Sequence, residues 1–220
     1  MLVSDLLPRN TFLGTSLILH QAGCFLFGIR PPKQLEDQII LEITGIGGRL
    51  EPFDLSLSRG VQREACEEIS ASVELIPCPR TLVVRGFHEI EEITLEGPER
   101  PAALVFRRHR TPPHQPWHAN YLDTGCIAVF LGDLTGAPQP SPEIPHLIWL
   151  KPEQILLTAQ QDVSLGDLLQ TGADLLSLDD QRPDPRLPTR LTDSQEALAL
   201  ALGEEVCSFY ESLIFLSRST

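Results

Sequence analysis

A loop and a helix decide the fold of this chain: Gly47-Gly-Arg-Leu-Glu-Pro-Phe-Asp54, followed by Arg63-Glu-Ala-Cys-Glu-Glu-Ile69. At about 100° per residue, Glu64, Glu67 and Glu68 fall on one side of a helix. A separate apolar stripe would hold that helix against a core: Val61, Ala65 and Ile69. Carboxylates one turn apart are hard oxygen ligands, so the pattern predicts a divalent metal site. Taken alone, the same spacing is also typical of a solvated helix face.

These residues resemble the signature box of the Nudix hydrolases, the superfamily that includes MutT. The box is Gly, five residues, Glu, seven residues, then Arg-Glu-apolar-any-Glu-Glu-any-Gly-apolar, and the matching residues are Gly48, Arg63, Glu64, Ala65, Glu67, Glu68 and Ala71. Asp54 stands in place of the first Glu, Ser70 replaces the closing Gly, and eight residues rather than seven separate Asp54 from Arg63. Because Ser56 occupies a helix N-cap position, we expect the extra residue, Leu55, to lie in the loop.

The flanking sequence agrees with the resemblance. Residues 15–30 predict two apolar strands around a turn at 21–23, as at the start of a Nudix domain. Residues 126–132 and 149–155 look like the family's late strand and its closing strand-to-helix segment. The resemblance covers residues 12–177 and implies an α/β fold, in which a mixed sheet is sandwiched between helices as an α/β/α sandwich.

Composition sets broader bounds. A chain of 220 residues with 42% hydrophobic content can bury one sizeable core, so we expect one domain with additions. Five cysteines without a Cys-x-x-Cys pair argue against a disulfide framework or a structural zinc site and favour a reducing cytoplasm. The start lacks a secretory signal, and no stretch stays apolar for the roughly 18 residues of a membrane span. The sequence therefore predicts a soluble, cytoplasmic protein without a membrane partner.

The formal charge of -13 bears on the ligand. Most of such a surface would repel duplex DNA, so a nucleic-acid partner is not expected. A small phosphorylated ligand could approach an acidic site through bound cations that neutralise phosphate and carboxylate oxygens. The charge therefore favours a metal-dependent site for a small nucleotide-type molecule.

A Pro-rich loop at residues 111–123 carries two aromatic residues, Trp117 and Tyr121. Loops with aromatics beside a catalytic scaffold often contact the ligand, so one hypothesis is that Trp117 or Tyr121 stacks on a base. The alternative is that both residues pack the loop onto the domain.

The last part of the chain, residues 178–220, is predicted to be an addition to the domain of residues 1–177. Three prolines and several charges indicate a linker up to residue 190, before an amphipathic helix that extends the fold to about residue 216. Its apolar seam is formed by Leu202, Val206, Phe209, Leu213 and Leu216. The seam would pack on the chain's own domain or form a homodimer interface.

The resemblance implies metal-dependent hydrolysis of a phosphoanhydride in a nucleoside diphosphate linked to another group. Glu64, Glu67 and Glu68 would hold Mg²⁺ or Mn²⁺, which polarises the pyrophosphate and activates a water. Arg63, four residues before Glu67, would orient the glutamates, and Glu64 would also take part in the chemistry. On the substrate side of the box the resemblance places Gly47, Gly48 and Arg49.

Two questions stay open at this point. MutT-like enzymes draw a further glutamate from the loop before the Trp-bearing strand, where Glu143 lies; Glu89, Glu91 and Glu92 are its rivals. No motif singles out a substrate. The departures at Asp54 and Ser70 also leave an alternative, a non-catalytic domain of the same type that binds a nucleotide or a protein.

Overall fold

The computed structural model describes residues 1–7, 12–85, 89–108, 124–179 and 182–192. In these ranges the helices are α1 (Val3–Leu6), α2 (Leu57–Ile69), α3 (Pro152–Gln160) and α4 (Leu165–Gln170). The strands are β1 (Phe12–Gln21), β2 (Cys24–Ile29), β3 (Lys33–Leu35), β4 (Gln38–Thr44), β5 (Val73–Ile76), β6 (Thr81–Arg85), β7 (Glu89–Ile93), β8 (Ala103–Arg108), β9 (Thr124–Leu134), β10 (His146–Leu150), β11 (Val163–Ser164), β12 (Asp174–Ser177) and β13 (Pro188–Leu191).

The sheet is mixed, and its strands follow the order β11-β13-β4-β2-β1-β9-β8-β6-β7. Strand β1 pairs antiparallel with β2 and parallel with β9, so the chain crosses over between residues 21 and 124. Strand β10 joins the sheet through β2 and carries β12 on its other side. Strand β1 thus lies at the centre of this order, between β2 and β9.

Alternating side chains of the central strands belong to two separate hydrophobic cores. Ile18 joins a cluster with residues of α3 and α4, whereas Leu17 and Leu19 join a cluster with α2. Successive side chains of a strand point to opposite faces, so helices cover both faces of the sheet. The predicted α/β fold with a mixed sheet between helices is confirmed.

The apolar stripe of α2 anchors that helix as the sequence predicts. Val61, Ala65 and Ile69 are fully buried against the sheet. Complete burial of a Val or Ile side chain contributes roughly 1.5–3 kcal/mol, which fixes the rotation of α2 about its axis. Cys66, which faces away from the stripe, is exposed.

Two of the departures from the box, Leu55 and Ser70, lie at the two ends of α2. The Ser56 hydroxyl accepts a hydrogen bond from the backbone N–H of Arg59, so Ser56 is the N-cap. Leu55 is 94% exposed, in agreement with an extra residue that bulges out of the loop. Ser70 ends the helix with φ 50° and ψ 29°, in the left-handed region that favours glycine.

We expect Ser70→Gly to raise the free energy of unfolding by about 0.5–1 kcal/mol, because glycine adopts this conformation without the strain of a side chain. Urea denaturation at equilibrium measures the change. Ser72→Gly is the matched control, since Ser72 has no positive φ and should gain nothing. Equal stability of Ser70→Gly and the wild-type chain would contradict the strain.

The sheet extends beyond residue 177, into the segment for which the prolines predict a linker. Residues 188–191 form β13, which pairs in parallel with β4 and antiparallel with β11. Leu191 packs in the core with α3 and α4. The predicted C-terminal helix, its apolar seam and the homodimer that it would form lie outside the described residues.

Within the described ranges, no helix has the length and apolar character that a membrane crossing requires.

Candidate active site

A glycine loop ahead of α2 is hydrogen-bonded to the central strand. The Thr15 N–H donates to the Gly48 carbonyl at 2.8 Å, and the Leu17 N–H donates to the Ile46 carbonyl at 2.7 Å. Strand β1 is paired with β9 on its other side, so the loop takes the place of a further strand. These bonds hold the loop at a fixed distance from the sheet.

Close approach to the central strand requires glycine at position 47. Gly47 has φ 149°, and a Cβ atom there would lie 2.2 Å from the Thr15 carbonyl oxygen, so only glycine lets the loop meet β1. A Cβ atom on Gly48 would lie 2.7–2.9 Å from the carboxylate atoms of Glu64. A side chain at position 48 would therefore displace the Glu64 carboxylate.

Arg63 is the centre of an ion-pair network on α2. Its guanidinium donates to both carboxylate oxygens of Asp54, at 3.2 and 3.0 Å. It also contacts Glu64 Oε1 at 2.9 Å and Glu67 Oε2 at 2.7 Å, and donates to the Arg49 carbonyl at 3.1 Å. The bonds to Asp54, and the charge of Glu64, raise the pKa of Arg63 further. The bond from Arg63 in turn lowers the pKa of Asp54.

Glu68 is the most deeply buried carboxylate of the box, with 1% exposure. Its Oε2 accepts a 2.7 Å hydrogen bond from the Gly47 N–H, whereas its Oε1 has no partner among the described residues. Burial raises the pKa of Glu68 to about 8, although the Gly47 hydrogen bond and the charge of Arg30 act in the opposite direction. A buried carboxylate with one unpaired oxygen is costly, and a cation would relieve that cost.

Glu64 lies between Arg63 and Glu68, and it is buried as well. Burial raises its pKa, and the charge of Glu143 adds to the shift. Glu143 acts in the same direction on Glu68, so the loop after β9 brings this acid toward the box. Other acids are candidates for the same role. Glu92 lies on the terminal strand β7 and pairs with Arg80, and the side chain of Glu89 lies outside the described residues.

The glutamates of α2 are not gathered around one point. Glu67 is 58% exposed along its side chain and turns to Arg63, whereas Glu68 points under the glycine loop. Across the described ranges, no three acidic, histidine or cysteine side chains are close enough to form a metal site. The donors fit Mg²⁺ or Mn²⁺ by their chemistry and by the unpaired Oε1 of Glu68. For the three glutamates to hold one ion, Glu64 and Glu67 would use the carboxylate oxygens that Arg63 does not contact.

A pocket of about 200 Å³ opens beside the glycine loop. The described residues that line it are Gly14, Thr15, Ser16, Arg30, Thr44, Gly45, Gly47, Gly48, Arg49 and Ile127. Three of them, Gly47, Gly48 and Arg49, are the residues that the resemblance predicts on the substrate side. Thr15, Arg30 and Thr44 could not be predicted, since no local pattern indicates that β1, β2 and β4 meet here. Trp117 and Tyr121 lie outside the described residues, so the stacking hypothesis stays a prediction.

Solved structures were compared with this arrangement. The ORF135 protein of E. coli is 18% identical, with a TM-score of 0.43 over 67% of this chain and 78% of that one. A MutT protein from Methanosarcina mazei is 18% identical, with a TM-score of 0.40 over 68% and 83%. A Nudix hydrolase from Nitrosomonas europaea is 17% identical, with a TM-score of 0.40 over 66% and 75%.

The chain is similar to Nudix hydrolases. No protein-family model matches it, and no curated protein matches its sequence.

Proposed function

We propose that this chain is a metal-dependent hydrolase that cleaves a phosphoanhydride bond in a nucleoside diphosphate linked to another group. The observation that carries the proposal is the buried Glu68: its Oε1 has no partner among the described residues, while its Oε2 accepts a hydrogen bond from the N–H of Gly47, a residue that lines the pocket. A chain optimised for stability alone would place an apolar side chain there. The position is explained if Glu68 is a ligand.

Glu64, Glu67 and Glu68 would hold Mg²⁺ or Mn²⁺, which when bound neutralises the phosphate charge and lowers the pKa of a bound water. Arg63 positions two of these glutamates through its contacts at 2.9 and 2.7 Å. Asp54 holds the guanidinium in turn, so that α2 and its preceding loop move as one unit. Gly48 leaves room for the Glu64 carboxylate beside the pocket.

The alternative is a domain that binds a nucleotide or a protein without turnover. It is favoured by the contacts of Arg63, which occupy an oxygen of Glu64 and one of Glu67. In this alternative the network would serve stability only, and the pocket would bind a ligand that leaves unchanged.

A release assay separates the two functions. The full chain is incubated with nucleoside triphosphates, dinucleotide polyphosphates, nucleotide sugars, NADH and coenzyme A, with Mg²⁺ and Mn²⁺ in parallel. We expect phosphate or nucleotide release from at least one class, and loss of that release when a chelator is added. Binding of a nucleotide without release from any of these classes would favour the non-catalytic alternative.

Glu143→Gln tests the further acid. If Glu143 serves as a base or ligand, turnover should fall at least tenfold, which corresponds to about 1.4 kcal/mol in barrier height. Glu92→Gln is the control, because Glu92 pairs with Arg80 at the β7 end of the sheet and should leave turnover unchanged. Steady-state kinetics on the substrate found in the release assay measures both, and full activity of Glu143→Gln would remove Glu143 from the mechanism.

A further inference from the structure

The hydroxyl of Thr15 is buried at the centre of the sheet without a hydrogen-bond partner among the described residues. The side chain is nearly inaccessible, at 3% exposure. Other buried threonines are paired: Thr81 Oγ1 donates to the Pro101 carbonyl at 2.7 Å, and Thr189 Oγ1 donates to the Val163 carbonyl at 2.7 Å. An unpaired buried hydroxyl destabilises a fold, so Thr15 has a cost that these threonines avoid.

Thr15 lines the pocket beside the glycine loop. Its backbone is fixed on both sides, by the hydrogen bond to Gly48 and by the parallel pairing with Ala128 of β9. A β-branched side chain in a strand has few rotamers, so the hydroxyl is also restricted. Thr15 therefore borders the pocket with an unpaired hydroxyl whose position is restricted.

The pocket has the chemistry of an anion site. Arg30 and Arg49 line it, although the chain has a formal charge of -13. The charge of Arg30 also acts on Glu68, where it opposes the rise in pKa. Three more lining residues carry hydroxyls, namely Thr15, Ser16 and Thr44. Arginine and hydroxyl donors are typical partners of phosphate oxygens. A nucleobase would favour an aromatic surface, and the lining residues that the structure describes include none.

We propose that Thr15 is a specificity-determining residue whose hydroxyl donates a hydrogen bond to a phosphoryl oxygen held in this pocket. This inference rests on the proposed function, since it assigns the pocket to a phosphate group of the substrate that lies next to the box glutamates. The nucleoside part of the substrate is then bound outside this pocket.

The test uses the full chain with Mg²⁺ and methylenediphosphonate, whose P–C–P bridge cannot be hydrolysed. Calorimetric titration gives the affinity, and thermal unfolding gives the stability. We expect Thr15→Val, which keeps the shape and removes the hydroxyl, to weaken binding at least tenfold while the melting temperature stays equal or rises. Thr81→Val is the matched control and should lower the melting temperature without weakening the binding, because its hydroxyl is paired. Arg30→Met should weaken binding as well.

Three results would overturn the proposal: no binding of the probe by the wild-type chain, wild-type affinity of Thr15→Val, or a lower melting temperature of Thr15→Val. Unchanged binding by Arg30→Met would overturn the assignment of a phosphate to this pocket, since the anionic probe would then be held elsewhere. Failure of the proposed function has a different signature. In that case the probe binds and Thr15→Val weakens its binding, but no nucleotide is hydrolysed with Mg²⁺ or Mn²⁺. The pocket then remains a phosphate-binding site.

Discussion

Glu67→Gln and Glu68→Gln are each expected to abolish metal-dependent hydrolysis and to leave the fold intact. Each amide removes a charged ligand without a change in volume. Turnover should fall by several orders of magnitude, because a bound cation both offsets the phosphate charge and generates the nucleophile. Glu153→Gln on the exposed face of α3 is the matched control, a helix carboxylate with no role in the chemistry.

The stability of Glu68→Gln adds a second readout. The pKa of Glu68 in the folded chain, about 8, lies well above the ordinary pKa of a glutamate, so the folded chain binds more protons than the unfolded chain between these two pKa values. The wild-type free energy of unfolding should therefore fall as pH rises from about 5 to 8, and the glutamine variant should lack this contribution. At pH 8 in chelator we expect Glu68→Gln to be more stable than wild type by about 1–3 kcal/mol.

Added Mg²⁺ should reduce this advantage, because a cation that binds only the folded wild-type chain stabilises it by mass action. Denaturation by urea at pH 6 and pH 8, with chelator and with Mg²⁺, measures these effects. Retained hydrolysis in the glutamine variants, or a Glu68→Gln variant that is less stable than wild type in chelator, would contradict the role given to Glu68.

Arg63→Ala is expected to have the second largest effect, this time on both stability and activity. It leaves Asp54, whose side chain is 4% exposed, without the two hydrogen bonds that balance its charge. Loss of charged hydrogen bonds at a buried acid costs roughly 2–4 kcal/mol. Turnover should also fall at least about a hundredfold, since Glu64 and Glu67 lose their positioning residue.

Arg63→Lys separates charge from geometry, because a single ammonium cannot reproduce the two-pronged contact with Asp54. It should recover part of the stability and little of the activity. Arg186→Ala is the control, since Arg186 pairs with Asp184 on the surface, at 88% exposure, and the substitution should leave stability nearly unchanged. Arg63→Ala with the stability of the control would show that the network is not structural.

The parts of the fold that follow local patterns could be predicted from sequence. The apolar stripe of α2 repeats every 3.6 residues, as one face of a helix does. The turn between β1 and β2 has positive φ at Ala22 and Gly23, as a tight turn requires. Strand β13 could not be predicted, because its partner β4 lies about 150 residues earlier in the chain and Pro188 is more typical of a linker.

The candidate site likewise has contacts that could be predicted from sequence and contacts that could not. Helical spacing alone places Glu67 beside Arg63, one turn away. The structure adds that Asp54 reaches Arg63 despite the extra residue, since Leu55 bulges into solvent. The Thr15 hydroxyl is different. Its lack of a partner depends on what surrounds it after β1, β9 and the glycine loop have come together, and no spacing in the sequence reports that.

A titration of Mn²⁺ into the full chain, followed by calorimetry, tests most directly whether the box glutamates hold a divalent cation. We expect saturable binding by the wild-type chain and at least a tenfold loss of affinity in Glu68→Gln, with Glu153→Gln unchanged. A wild-type chain that binds no Mn²⁺, or a Glu68→Gln variant that binds it with wild-type affinity, would contradict the metal-dependent hydrolase.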